Sequence, residues 1–421
     1  MIRIFALTVF ALFAIGAAPP AQETLPGGAR LAWWKDDTFP LVDLAIVFPV
    51  GHRNDPAGKS GIGELLAAVL ERQLGERIRP MGASRAVQAD EESLSVGVHG
   101  LSSDAQELWL ALWSVVSRPS WEPGTVERER DRVLDRWRHL RDSRELLAGL
   151  AFHRAAFLGT PYSRGAVAGA DELRKIGSAD VIAHARSLMG APLSGAKIVV
   201  AGQVKDAMIL RQTVLESISK NAASEPNVLT PPSRAARSGG AKPTHVRVVD
   251  DGPGELVSLV VGVDPAALPP IEGDRVRVAV CDARMRTKLH ELLKIADGTR
   301  CHLEVHKEAS RIAVSVATRT DLAVQAVTEI MALLASPPTE EELDRAKRKV
   351  DGAEQIARTT LPGRVSEWLA SQMPVAPAVA TKPAWSISAA GDGSVLQRVF
   401  KKGGYREILV LQPDVLIRTG R

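Results

Sequence analysis

Few residues in this chain combine a chemically able type with a useful spacing. In CHLEVH, Cys301 to His306, polar and apolar residues alternate. On a strand this sets His302, Glu304 and His306 on one face and Cys301, Leu303 and Val305 on the other. Two imidazoles and a carboxylate are metal-ligand types. A strand row of this kind is more simply a solvated polar face, and that is the expectation here. HELLK, His290 to Lys294, lacks the second histidine of a zinc-binding H-E-x-x-H helix. His52, His99, His139, His153, His184 and His245 are scattered and form no Ser/His/Asp spacing. No P-loop and no Gly-x-Gly-x-x-Gly run opens a helix, so nucleotide phosphates find no cradle. The spacing of Cys281 and Cys301 is compatible with a bridge in an oxidising compartment and equally with two buried thiols.

The elements that must place these residues are readable from pattern. Arg30 to Lys35, Leu41 to Val50, Ser93 to His99 and Lys197 to Ala201 read as strands. A glycine-rich turn from Gly51 leads into a helix over Gly61 to Leu74, with Ser60 as its expected N-cap. Helices are also expected over Ala105 to Ser117, Ala179 to Met189 and, unbroken, Thr125 to Leu150. From Thr125 to Glu145 the last is charged with both signs interleaved, which reads as a solvated face, with a subunit contact anchored by Trp137 as the alternative. Trp33 and Trp34, adjacent on a strand, point to opposite sides, one toward the core and one toward an exposed edge.

The second half repeats the first. LVSLVVGV from Leu256 matches LVDLAIVF from Leu41, an offset of 215 (256 − 41). LDRAKRKV from Leu343 matches VERERDRV from Val126, an offset of 217 (343 − 126). Arg406 to Gln412 is taken as the last strand, the counterpart of Lys197 to Ala201. The expected fold is α+β: tandem duplicated domains, each a mostly antiparallel sheet with helices packed on one face. The domains span 22–220 and 245–421, joined by a Pro/Ser/Gly/Ala-rich linker over 221–244, with a second loose connection at Met373 to Pro383.

With 421 residues and 45% hydrophobic content the chain can bury two cores. A net charge of +4 with 4% aromatics gives no nucleic-acid footprint. Residues 1–21 read as a signal peptide: Arg3, an apolar run from Ile4 to Ala18, then small residues Ala17, Ala18 and Ala21. The run is short for a membrane span, and no later segment is apolar enough. An exported protein, periplasmic or secreted, is expected.

Four stretches carry a family resemblance: GHRNDPAGKSGIGELL, ERERDRVLD, FLGTPYSRGAVAGADELRKI from Phe157 to Ile176, and TEEELDRAKRKV from Thr339 to Val350. Together they resemble the insulinase and mitochondrial-processing-peptidase family, the pitrilysin-like inverted zincins, over nearly the whole mature chain. That family carries H-x-x-E-H on the first helix. Histidines at i and i+4 share a helix face and grip zinc, the glutamate between them serves as general base, and a later glutamate is the third ligand. In the register GIGELLAAVL the resemblance places Glu64 at the first histidine, Ala67 at the base and Ala68 at the second histidine. On the later helix Glu129 matches a retained family glutamate and Arg136 takes the ligand position. One carboxylate therefore stands where three ligands are needed, beside a cation that repels a dication.

In helper subunits of the family an arginine and a tyrosine hydrogen-bond substrate; here Lys294 and Cys301 take those places. The family's peptide-binding edge strand falls on RAVQ, Arg85 to Gln88, where main-chain pairing does not need particular side chains. The resemblance implies a non-catalytic subunit that binds no cofactor and joins a zinc-bearing homologue to form a chamber for extended peptides. An active metalloendopeptidase with altered ligands and a stand-alone peptide-binding scaffold are the alternatives.

Overall fold

The computed structural model describes residues 20–25, 28–117, 119–157, 160–164, 170–189, 195–221, 245–264, 268–269, 273–306, 310–371, 385–405 and 407–418. The expected signal segment through residue 19, the linker from 222 to 244, the connection at Met373 to Pro383 and parts of the 157–176 stretch lie outside the described residues.

The first half runs β1 (Ala21–Thr24), β2 (Arg30–Lys35), β3 (Leu41–Phe48), α1 (Ile62–Ile78), β4 (Ser84–Ala89), β5 (Leu94–Leu101), α2 (Ala105–Ser117), α3 (Thr125–His139), α4 (Arg144–Ala156), α5 (Ala170–Lys175), α6 (Ser178–Met189), β6 (Lys197–Gly202) and α7 (Ala207–Asn221). The second runs β7 (His245–Asp250), β8 (Leu256–Val263), α8 (Asp274–Met285), a π-helical turn (Arg286–Leu292), β9 (Ala296–Val305), β10 (Ser310–Arg319), α9 (Ala323–Ala335), α10 (Glu340–Arg358), α11 (Leu361–Ser371), β11 (Ser386–Gly391), α12 (Gly393–Lys402), β12 (Glu407–Leu411) and α13 (Pro413–Arg418).

These strands form two six-stranded sheets, ordered β1-β2-β6-β3-β5-β4 and β12-β7-β11-β8-β10-β9. The pairs β2–β6, β7–β11 and β7–β12 are parallel and the rest antiparallel, so both sheets are mostly antiparallel. The duplication is visible in the helices: α9 lies 218 residues beyond α2 at both ends (323 − 105, 335 − 117), and α11 starts 217 beyond α4 (361 − 144). The fold is the expected tandem α+β arrangement.

Each half's own helices cover one face of its sheet. On β3, Val42, Leu44, Ile46 and Phe48 point into the first core beside Leu65, Leu66 and Val69 of α1. The opposite face of each sheet is covered by a helix from the other half. Helix α4 crosses onto the second sheet, where the Phe152 ring lies against Gly262 of β8; a Cβ there would sit 2.2 Å from the ring. Its repeat α11 crosses the other way, and Trp368 meets Ala32, Trp34, Val199 and Ala201 of β2 and β6. The Trp34 and Trp368 rings stand edge-on at 5.4 Å. Ion pairs Arg144–Asp251 (2.7 Å) and Arg364–Asp36 (2.6 Å) tie the start of α4 and the body of α11 to the opposite half.

The crossings correct three sequence expectations. Neither face of β2 is left open, so Trp34 is 5% exposed and Trp33 is partly buried against the first core. Thr125 to Leu150 is two helices, not one. Ser143 adopts extended backbone and its hydroxyl accepts from the Leu146 N–H at 3.3 Å, which starts α4 in a new direction. The counterpart of Lys197–Gly202 is β11, Ser386–Gly391, inserted between β7 and β8 as β6 is between β2 and β3. The strand expected at Arg406 to Gln412 is the edge strand β12, paired in parallel with β7.

Cys281 of α8 and Cys301 of β9 form a disulfide across a sequence separation of 20. Closing a loop of that size in the unfolded chain is worth about 3 kcal/mol. Cys281→Ala/Cys301→Ala is expected to lower unfolding free energy by about that amount. Denaturant melts of the oxidised, reduced and double-alanine proteins check this, with the last two agreeing.

Candidate functional site

The site is built on the turn that launches α1. The helix begins after Gly61, which adopts φ 88°, a left-handed conformation open to glycine. Ser60, the expected N-cap, does not cap. Asp55 does that work from earlier in the turn, accepting from the N–H groups of Gly61 (2.7 Å) and Gly63 (3.2 Å). The Ser60 N–H instead donates to Glu172, and Lys59 pairs with Asp180 at 2.6 Å, fastening the turn to α5 and α6. Gly51 abuts the β4–β5 turn so closely that a Cβ would fall 2.2 Å from the Asp90 carbonyl oxygen.

Within the first turn of α1, Glu64 faces α3. Its carboxylate accepts from the Trp137 indole N–H at 3.1 Å and from Arg136 at 3.5 Å. Trp137 is 1% exposed, so this candidate anchor is a core residue that seals this carboxylate. Burial pushes the Glu64 carboxyl up to about 7, against the lowering pull of Trp137 and Arg136. Ala67 is buried and Ala68 half-buried, each contributing only a methyl group to the helix face. Glu129 is buried on α3 and accepts from Arg132 at 2.5 Å.

Zinc does not fit this set. It needs three or four lone pairs converging at about 2.0–2.3 Å. Here one carboxylate converges with an indole and a guanidinium, which carry hydrogens and offer no lone pair. Among the described residues no group of three or more His, Cys, Asp or Glu is placed to hold a metal.

The other sequence-predicted positions lie apart from Glu64. Arg85 and Gln88 are on β4, the edge strand of the first sheet. The Arg85 guanidinium lies over Gly75 of α1 and 3.9 Å from Glu71. Gln88 is exposed, and its carbonyl accepts from Ser95 on β5. Lys294 is exposed at φ 53°, at the turn into β9. Cys301 is buried in its bond to Cys281 and presents no free thiol.

The structure assembles a second polar cluster. The row His302, Glu304 and His306 is not a plain solvated face: Glu304 and His306 turn into the seam between the halves, and His302 stays partly exposed beside Glu304. Glu304 accepts from His153 of α4 at 3.1 Å and lies 3.4 Å from His302. His306 stacks on Tyr162 with ring centroids 4.3 Å apart. The Tyr162 hydroxyl donates to Glu92 at 2.7 Å and accepts from Arg53 at 3.1 Å. Nothing in sequence announces this cluster, because His153 and Glu304 are 151 residues apart.

No family model and no curated protein matches the sequence. Solved structures do match. One, named as the inactive domain of an M16 peptidase from Pseudomonas fluorescens, has TM-score 0.67 and 16% identity, over 88% of this chain and 98% of that one. A protease from Helicobacter pylori gives 0.70 and 15%, over 88% and 100%. A structure described as an M16-like peptidase from Alicyclobacillus acidocaldarius gives 0.69 and 15%, over 88% and 98%. At these identities the likeness is one of architecture: the chain carries the M16, insulinase-type peptidase fold.

Proposed function

We propose that this chain is a non-catalytic subunit of an exported insulinase-like zinc protease, pairing with a zinc-bearing homologue to enclose extended peptides. The observation that carries the reading is the Glu64–Trp137–Arg136 cluster: a peptidase scaffold whose ligand positions hold one buried carboxylate plugged by two hydrogen-bearing groups. Hydrolysis would then belong to the partner, and zinc with it. Peptide would lie along the outer edge of β4, adding a strand to the sheet by main-chain pairing. Arg85 and Gln88 would contact it directly, with Lys294 at the turn into β9 contributing binding surface. Export is supported by the apolar run from Ile4 to Ala18 and by the Cys281–Cys301 bridge.

The test is purification of the chain with and without the homologue. Metal analysis and a peptidase assay on the chain alone are expected to show neither zinc nor turnover. The pair is expected to co-purify and to cleave peptides. Stoichiometric zinc with hydrolysis by this chain alone would overturn the reading in favour of an altered-ligand peptidase. Peptide binding without association with the homologue would favour a stand-alone scaffold.

A further inference from the structure

We propose that His153 is a proton-operated latch that ties Tyr162, and through its hydroxyl bond to Glu92 the turn of the β4–β5 hairpin, to the edge strand β9 while protonated and releases them when it loses its proton. His153 sits on the crossing helix α4, between the two sheets. Its Nδ1 faces the Glu304 carboxylate at 3.1 Å, and its Nε2 faces the Tyr162 carbonyl oxygen at 2.8 Å, with Glu91 of the hairpin turn 3.6 Å away. The Glu304 carboxylate and the Tyr162 carbonyl oxygen are both acceptors, while Glu91 lies beyond hydrogen-bond reach. A neutral imidazole has one N–H and would aim a lone pair at one of these sides; only the imidazolium donates to both. The site is built for the charged ring.

The surroundings set the sense of the response. Glu304 holds the His153 proton by hydrogen bond and charge, against burial, so the ring's pKa lies above its ordinary 6.5. Burial pushes the Glu91 carboxyl up to about 7 against the pull of the His153 charge, and the neighbouring Asp90, Glu304 and Glu92 add to the rise. Arg53 offsets Glu92 on this side, and Arg311 offsets Asp264 on the other. A raised pKa stabilises the closed form at low pH and is lost as pH rises through the closed-state value. Rising pH therefore takes the proton from His153 and ionises Glu91 inside the seam, and both favour opening. His52 and His306 act in the opposite sense: burial holds both below 6.5, so acid favours opening once a solvated ring would protonate. Glu304, lowered to about 2 by His153 and His302 against burial, keeps its charge through the mildly acidic range. Glu91 loses its contribution between 4.5 and about 7 and His153 loses its own above 6.5, so the seam loosens as pH climbs through neutrality.

Amide hydrogen exchange of the full chain, corrected for the intrinsic pH dependence, reads this directly. Protection of residues 90–94 and of β9 is expected to fall on the order of tenfold between about pH 6.5 and 8.5 in the wild type. In His153→Gln it should be low and flat, and in Glu91→Gln the fall should be shallower. Protection of β3 and β8 should stay constant in all three. A wild-type seam with no pH dependence, or one whose dependence survives in His153→Gln, overturns the latch. Should the variants not fold, the wild-type exchange profile read beside an NMR titration of the His153 ring decides: loss of seam protection that tracks the ring's titration supports the proposal, and loss that does not track it overturns it.

Discussion

Combining Glu64→His, Ala67→Glu, Ala68→His and Arg136→Glu is expected to give a chain that retains about one zinc per molecule after dialysis, where the wild type retains none. The helix already sets positions 64 and 68 on one face, i and i+4. Position 136 reaches that face, since Arg136 lies 3.5 Å from Glu64. The substitutions exchange a plugged carboxylate and a repelling cation for three converging donors. A dissociation constant near or below 1 μM corresponds to about 8 kcal/mol of binding, well within what comparable sites supply. Arg136→Glu alone should bind no zinc, because two carboxylates without imidazole make a poor site. Isothermal titration and metal analysis check the series. A quadruple variant that keeps wild-type circular dichroism and binds no zinc would show that the scaffold, and not only its ligands, has diverged.

The second large effect concerns the crossing helix. Phe152 is 1% exposed and stands on the bare backbone of Gly262. Phe152→Ala is expected to cost about 3–5 kcal/mol, as a large ring lost from a closed core. Gly262→Ala, which forces a methyl into that ring, should cost about 1–3 kcal/mol by overpacking. The two costs should not add. With the ring gone the methyl has room on that side, although the Ile312 carbonyl oxygen would still lie 2.9 Å from it, so relief is partial. A double-mutant cycle by denaturant unfolding measures the coupling, expected at about 1 kcal/mol or more. Additive effects would mean that α4 does not dock as described.

How far the sequence shows this depends on the range of the interaction responsible. The apolar alternation of LVDLAIVF and its copy LVSLVVGV marks β3 and β8 because it is local. The repeat offsets mark the duplication because the chain can be compared with itself. The register that sets Glu64 against Arg136 also puts them 3.5 Å apart in space. The misses are of another kind. SISAAG at β11 is small, fully buried and without alternation, so it gives no period to read. The break before Ser143 lies in a charged run with neither Gly nor Pro, and only the hydroxyl cap reveals it. Ser60 and Gly61 both look able to start α1, and Asp55 decides between them from six residues before Gly61. The polar row on β9 reads the same whether it faces water or His153.

The exchange of α4 and α11 has a consequence for synthesis on the ribosome. Trp34 waits for Trp368, 334 residues later (368 − 34). At about 5–20 residues per second that interval is roughly 20 s to a minute. Throughout it, the Trp34 face of β2 and, once made, Val199 and Ala201 of β6 have no cover of their own. The nascent first half thus presents an apolar face until the last quarter of the chain arrives, and truncation before Leu361 should yield a sticky product in place of a smaller stable domain.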